Sequence, residues 1–136
     1  MIGQNNAAYD VFTNSYWSVQ QASLDPYCVF KPANAAEVSI ALLVTRLTQC
    51  PFAVKSGGHA AFGGASSIEG GITIALEKIN QVTLSPDKKT AAIGSGNTWY
   101  EVYTQLEGQN LTVIGGRVSA FHRSCFSPLL CSPLTA

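Results

Sequence analysis

Charged side chains are scarce in this chain, and neither sign prevails. Eight lysine and arginine residues balance eight aspartate and glutamate residues, and together they make up 12% of the 136 residues, which is about half the usual share. No basic cluster is longer than Lys88-Lys89. The chain therefore lacks the positive patch by which proteins bind nucleic acids or anionic membrane surfaces, and we expect neither as a partner.

Long apolar runs are missing as well. The longest covers 40–44, which is far too short for a membrane-spanning helix. The first residues do not combine a charged leader, an apolar stretch and a cleavage site, so this chain shows no secretory signal. Hydrophobic residues nevertheless make up 46% of the sequence, which predicts one ordinary domain, or a piece of a larger one, with a buried core.

The cysteines and histidines do not have the spacing of a metal site. The four cysteines contain no C-x-x-C pair: Cys28, Cys50, Cys125 and Cys131. The two histidines, His59 and His122, are far apart in the sequence. We therefore predict no metal ion.

The first half of the chain predicts a strand, a helix and a second strand. A short apolar run at 28–30 precedes Asn34 and Glu37, a pair typical of a helix start. Apolar residues then form a wide stripe over 35–48, which predicts a mostly buried helix. The second strand follows at 52–54, and such a unit favours a parallel pair.

This arrangement would bring two cysteines to the same end of a sheet. Cys28 and Cys50 lie at or just before the starts of the two strands, so they would be close together if those strands are neighbours. A disulfide between them and two buried free thiols are both consistent with the sequence.

The second half predicts further strands and another helix. Four extended runs occur, of which the second and third read as a hairpin: 72–76, 82–84, 91–93 and 111–114. Thr98 and Glu101 form a second capping pair at the start of a helix that Gly108 ends. Parallel and antiparallel strands combined with two helices predict an α+β fold.

The most informative segment is the loop that follows the strand at 52–54. It reads Lys55-Ser56-Gly57-Gly58-His59 and continues through small residues to Ser67. Adjacent glycines let several backbone N–H groups turn toward one point, and such a nest binds anions, particularly phosphate. His59 beside it could act as a base, a ligand or a nucleophile. On spacing alone, a tight turn with an ordinary polar histidine is the more common arrangement.

A second glycine pattern, Gly94-Ser95-Gly96, stands between a strand and a helix as a dinucleotide-binding fingerprint does. Trp99 occupies the place of the third glycine, where an indole would block the close contact between helix and strand. The preceding strand also reads as the second arm of a hairpin. The pattern therefore does not predict a nicotinamide-type fold.

Several segments in order resemble one known family. From about residue 16 to 120 the chain resembles the first half of the FAD-binding domain of berberine bridge enzyme-like, FAD-linked oxidases, a PCMH-type domain shared with vanillyl-alcohol oxidase. The segments that carry the resemblance are 16–18, 26–34, 52–59, 94–99 and 113–118. The resemblance implies a lead-in at 1–23 and a partial FAD-binding domain at 24–120. Residues 121–136 depart from the family pattern, as a wrong reading frame or an unspliced intron would.

The resemblance also implies the cofactor and its contacts. In this family the loop wraps the FAD pyrophosphate with backbone amides, and its histidine, here His59, is joined in many members to the 8-methyl carbon of the flavin. Val118 stands where some members carry a second linking cysteine, so a single bond through His59 is expected. The residues expected to bind FAD are Lys55, Ser56, Gly57, Gly58, His59, Ala60, Gly64, Ser66, Gly115, Gly116 and Val118.

The function implied is the FAD-binding portion of an oxidoreductase that oxidises a small molecule and passes the electrons to dioxygen. The resemblance also implies secretion, and it places the catalytic base in a part of the family that this chain lacks, so no catalytic residue is predicted here. Two alternatives remain at this point. One is a catalytically inactive, truncated flavin-binding fragment, and the other is a phosphate-ligand domain unrelated to flavin.

Overall fold

The computed structural model describes residues 1–116 and the backbone of 129–133. Two four-stranded sheets carry the fold, which confirms the α+β prediction. The first sheet, in the spatial order β1-β2-β4-β3, contains β1 (Ile2–Gly3), β2 (Cys28–Phe30), β3 (Phe52–Lys55) and β4 (Ile72–Ala75). The second, in the order β5-β6-β8-β7, contains β5 (Val82–Leu84), β6 (Thr90–Ile93), β7 (Leu111–Val113) and β8 (Leu129–Pro133).

The α-helices among the described residues are α1 (Ala7–Thr13), α2 (Val19–Ala22), α3 (Ala35–Thr48) and α4 (Trp99–Glu107). Three of these four begin at a side chain that caps them, and α2 does not. The Asn34 side chain accepts a hydrogen bond from the Glu37 amide at 3.0 Å, which confirms the predicted start of α3. Thr98 and Glu101 form a complete capping box at the start of α4. Among the described residues, no helix has the length and apolar character needed to cross a membrane.

The parallel unit is confirmed in direction, but its two strands are not neighbours. β4 lies between β2 and β3 and pairs parallel with both, so that Thr73 stands opposite Val29 on one side and Ala53 on the other. Three of its four residues, Thr73, Ile74 and Ala75, are buried. A strand with apolar or small residues on both faces suits this central position. The sequence analysis recognised β4 as a strand but did not predict that it lies between β2 and β3.

Cys28 and Cys50 are free thiols of intermediate burial. The interposed β4 separates the two strands that carry or follow them. Burial raises the pKa of the Cys28 thiol, and the charge of a Cys50 thiolate would raise it further. The sequence left open a disulfide or two free thiols, and the structure shows Cys28 and Cys50 as free thiols.

The prediction that α3 is mostly buried is wrong. Thr45 is its only buried residue, while Leu43 is 55% and Leu47 83% exposed. Val38 and Ala41 pack against the core beside β4. A helix lying on one face of a sheet buries a single stripe, and here apolar residues extend well beyond that stripe.

The segment 121–136, which departs from the family pattern, contributes β8. Its backbone lies between β6 and β7 and is antiparallel to both. Backbone hydrogen bonds with a strand on each side form this pairing, and such bonds do not require an alternating pattern of apolar and polar residues in the sequence. The tail residues Cys125 and His122, which received no predicted role, lie outside the described residues.

Three buried clusters hold the described residues together. The first joins α1 to the first sheet through Tyr9, Phe12, Tyr16, Val29 and Ala75. The second, Ile74, Leu76 and Ile79, lies where β4 runs into a short 3-10 turn. The third packs α4 on the second sheet through Ala91, Ile93, Val102, Leu106 and Val113. The segment before residue 24 therefore contributes to the core of the first sheet.

The contrast between α4 and α3 gives a matched pair of substitutions. Leu106 is fully buried, whereas Leu47 is 83% exposed. We expect Leu106→Ala to lower the free energy of unfolding by about 2–5 kcal/mol because it leaves a cavity, and Leu47→Ala to change it by no more than about 0.5 kcal/mol. Urea unfolding of both variants measures this. Equal losses would show that the exposed face of α3 is covered in solution.

Candidate cofactor site

A cavity of about 440 Å³ opens where β3 ends. It gathers six of the predicted site residues: Ser56, Gly57, Gly58, His59, Ala60 and Ser66. Four further residues complete its wall: Val54, Ala65, Leu76 and Ser95. The carboxyl end of β3 and the turn after β6 thus meet at one concave site, and most of the predicted loop lines it.

The turn after β3 requires glycine and leaves donors available. Gly58 has a φ of +65°, and a Cβ there would lie 3.1 Å from Lys55 Cε and 3.3 Å from the Tyr16 ring. The backbone amides of Gly57, Gly58 and Ala60 donate no hydrogen bond to another described residue. Backbone amides that line a cavity and have no acceptor among the described residues are available to bind a phosphate oxygen.

Lys55 stands behind this turn, not among the residues that line the cavity. Its Nζ lies 4.9 Å from the Tyr16 ring centroid and 5.1 Å from that of Phe12, a cation–π arrangement. Burial lowers the pKa of the Lys55 ammonium, and Lys31 lowers it further, while Glu77 opposes both. Lys55 therefore packs behind the turn, and its predicted role in binding FAD stays a prediction.

His59 and the small-residue loop occupy the outer part of the site. The His59 side chain is exposed, and its ring meets Trp17 edge-on with centroids 5.8 Å apart. Gly64 has a φ of +86° with open space beside it, so backbone conformation alone selects glycine there. Ser66 is buried, and its carbonyl accepts a hydrogen bond from the Tyr16 hydroxyl at 2.6 Å.

Ser95 is a site residue that the sequence analysis did not predict. Its carbonyl accepts a hydrogen bond from Ser56 Oγ at 2.5 Å, which ties the turn after β6 to the end of β3. The Ser95 hydroxyl is buried and has no hydrogen-bond partner among the described residues. Its position between two glycines was the available signal, since a residue in such a turn often faces a ligand.

The glycines beside Ser95 explain why this turn approaches so closely. A Cβ on Gly94 would lie 2.2 Å from the Ile79 carbonyl oxygen, and one on Gly96 would lie 2.1 Å from that of Leu76. Gly94 follows the second arm of an antiparallel hairpin, as expected. The pattern therefore serves backbone packing, which agrees with its rejection as a dinucleotide fingerprint.

Gly115 and Gly116 lie away from the cavity wall. A Cβ on Gly115 would approach the Trp99 ring to 2.5 Å, and one on Gly116 would approach Trp99 Nε1 to 2.4 Å. Both glycines therefore pack against α4. Val118 lies outside the described residues, and the expectation that these three positions line a flavin stays a prediction.

The comparisons with known proteins agree with this geometry. Residues 26–119 match the model of the FAD binding domain family. An FAD-dependent monooxygenase of Arthrobotrys oligospora is 43% identical over 117 residues, which is 85% of this chain and 23% of that protein. The crystal structure of 6-hydroxy-D-nicotine oxidase from Arthrobacter nicotinovorans superposes with a TM-score of 0.78 at 18% identity, covering 89% of this chain and 26% of that one. The wild-type BBE-like 1 protein of Physcomitrella patens gives 0.73 at 17%, covering 89% and 26%.

The chain belongs to the FAD binding domain family. Its fold is that of the berberine bridge enzyme-like FAD-linked oxidases, and it forms the first part of a PCMH-type domain, as predicted. The chain spans about a quarter of the length of the relatives it matches. FAD, the predicted cofactor, is confirmed by the family match. The amides and the Ser95 hydroxyl, which have no partner among the described residues, are donors of the kind that a diphosphate accepts from.

A comparison of substitutions at two buried hydroxyls without partners among the described residues tests whether Ser95 contacts the cofactor. Ser95 lines the cavity, whereas the equally unpartnered hydroxyl of Thr73 lies within β4. Without FAD, we expect Ser95→Ala and Thr73→Val to leave the free energy of unfolding unchanged or to raise it by about 1 kcal/mol, because each removes an unsatisfied polar group. With FAD, only Ser95→Ala should weaken binding, by about tenfold. Titrations of FAD fluorescence measure this, and equal affinities for both variants would contradict a ligand contact at Ser95.

Proposed function

We propose that this chain is the part of an FAD-dependent, oxygen-using oxidoreductase that holds the diphosphate and anchors the flavin through His59. One observation carries the proposal. Backbone amides and a buried hydroxyl that have no hydrogen-bond partner among the described residues line one cavity, and an exposed imidazole stands at its rim. The similarity to an FAD-dependent monooxygenase and to a 6-hydroxy-D-nicotine oxidase supports oxidation of a small molecule with dioxygen.

The chain's own residues would bind and orient the cofactor. The amides of Gly57, Gly58 and Ala60 would donate to the diphosphate oxygens, and the Ser95 hydroxyl would add a donor from the opposite turn. These donors are fixed by the backbone, so they need little reorganisation when the ligand binds. Bound FAD supplies the redox chemistry by accepting a hydride equivalent from the substrate and passing electrons to dioxygen.

His59 would form the covalent attachment. A neutral imidazole carries a lone pair on one ring nitrogen, and that nitrogen would bond to the 8-methyl carbon of the flavin. One C–H bond of the methyl group and the imidazole N–H bond would break with loss of two protons, and the two electrons would pass to the flavin and from it to dioxygen, which is reduced to peroxide. The exposed position of His59 at the cavity rim is consistent with reaching a ring that extends outward from the diphosphate. Its contact with Trp17 would limit the rotation of the imidazole.

The covalent bond can be tested through colour. In a protein of the relatives' length that carries residues 1–120 of this chain, we expect the yellow colour to stay with the polypeptide after acid precipitation. His59→Ala should release the flavin into the supernatant, because His59 is the residue expected to form the bond and Lys55, the other nearby amine, is not among the residues that line the cavity. Trp17→Phe is the control, since it keeps His59 and an aromatic neighbour. Flavin that remains attached in His59→Ala would contradict the proposal.

A second proposal concerns the 136-residue polypeptide by itself, which we expect to be catalytically silent. It spans about a quarter of its relatives, and α3 exposes several apolar side chains. Such surfaces favour association.

Turnover of the isolated chain is measured by substrate-dependent peroxide formation. We expect no rate above that of free FAD at the same concentration, since the flavin envelope is incomplete. The matched sample is a protein of the relatives' length under the same conditions. A clear substrate-dependent rate from the isolated chain would contradict this expectation.

A further inference from the structure

Gln21 joins the two arms of the cofactor loop through one buried amide group. Its side chain is fully buried on α2. Nε2 donates to the Ala60 carbonyl at 2.6 Å. Oε1 accepts from the backbone amides of Ser66 at 2.9 Å and Ser67 at 3.0 Å, and also from Ser66 Oγ at 3.0 Å.

We infer that Gln21 is the positioning residue that closes the FAD loop. Ala60 ends the amide-rich turn, and Ser66 and Ser67 end the small-residue stretch that follows it. That stretch is rich in alanine and glycine, so it has few large side chains to anchor it and much backbone entropy to lose. A single primary amide offers a donor and an acceptor in fixed geometry, and Gln21 uses both to hold the two ends together.

Neighbours of Gln21 support the same loop from the same side. Ser18 Oγ donates to the Ala61 carbonyl at 2.5 Å. A Cβ on Gly63 would lie 3.1 Å from the Gln20 carbonyl oxygen, so the loop passes close over the α2 backbone. These contacts come from residues 18–21, whereas the family match begins at residue 26. Residues 18–21, which support the loop, therefore lie outside the part of the chain that matches the family model.

The burial of Gln21 makes its hydrogen bonds costly to lose. A buried polar group without partners is penalised, and removing Gln21 would leave the Ser66 and Ser67 amides and the Ala60 carbonyl unsatisfied together. Their orientation would then depend on the loop backbone alone. The inference rests on the proposed function in one respect, namely that this loop holds the FAD diphosphate.

Hydrogen exchange on the FAD-free 136-residue chain tests the positioning role directly. Gln21→Met keeps the length of the side chain and removes the amide, while Gln20→Met makes the same change at an exposed neighbour. We expect the Ser66 and Ser67 amides to exchange at least about tenfold faster in Gln21→Met. The amide of Leu106 in α4 should not change in either variant, and Gln20→Met should match the wild type throughout. Unchanged exchange at Ser66 and Ser67 in Gln21→Met would overturn the inference.

Gln21→Glu distinguishes the donor role of the Gln21 side chain toward Ala60 from its acceptor role toward Ser66 and Ser67. The carboxylate retains an acceptor for Ser66 and Ser67, whose donors favour its ionised form, but brings no N–H to Ala60. We expect protection at Ser66 and Ser67 to persist in this variant while FAD affinity falls about tenfold. This variant also decides the question if Gln21→Met does not fold, because loss of protection at Ser66 and Ser67 in Gln21→Glu would contradict the assigned acceptor role.

FAD titration separates this inference from the proposed function. We expect Gln20→Met to bind FAD as the wild type does, and Gln21→Met to bind at least about tenfold more weakly. If the wild-type chain binds FAD and Gln21→Met binds it equally well, the inference fails while the proposed function stands. If the wild-type chain binds no FAD, the proposed function fails for this chain, and the exchange result alone decides the role of Gln21.

Discussion

The site depends on backbone amides that have no acceptor among the residues that the structure describes. In the turn after β3, Gly57, Gly58 and Ala60 have amides of this kind, and the turn stays in place because other groups fix it from outside. Ser56 ties it to the turn after β6, and Gln21 ties its far end to Ser66 and Ser67. An anion site made of amides is useful only if its geometry exists before the ligand arrives, since otherwise binding would have to order the loop. The surrounding side chains supply that order.

Glycine serves three different physical purposes around this site. Gly58 and Gly64 are needed for a positive φ. Gly94 and Gly96 are needed because the backbone at Leu76 and Ile79 leaves no room for a Cβ. Gly115 and Gly116 leave room for the rings of α4. One residue type in a motif therefore carries several kinds of information, and only the first kind is directly related to binding a phosphate.

The sequence predicted local structure well because local signals determine it. The bounds of α3, the capping box at Thr98 and the hairpin of β5 with β6 all follow from side chains within a few residues of one another. The central place of β4 and the pairing of β8 were missed, because both depend on partners distant in sequence. The same distinction holds at the site. The glycine-histidine loop was recognised from its own residues, whereas Gln21 and Ser95 act through contacts across 39 or more positions. Gln21 carries no local signature, and the glycines on either side of Ser95 were its only local signal.

The turn after β3 has a positive charge behind it, on the Lys55 side chain. Among the described residues, the single ion pair joins Lys31 to Glu77 at 2.7 Å, and Lys55 has no carboxylate partner at that range. Both lysines lie over the Phe12 ring, and Lys55 also lies over the Tyr16 ring. Aromatic faces hold a cation without neutralising it, so the charge of Lys55 persists directly behind Gly58, which lines the cavity. A diphosphate in that cavity would meet neutral donors first and this positive charge behind them. The pKa of Lys55, lowered by burial in the free chain, would then rise on binding, because an anion nearby favours the charged form.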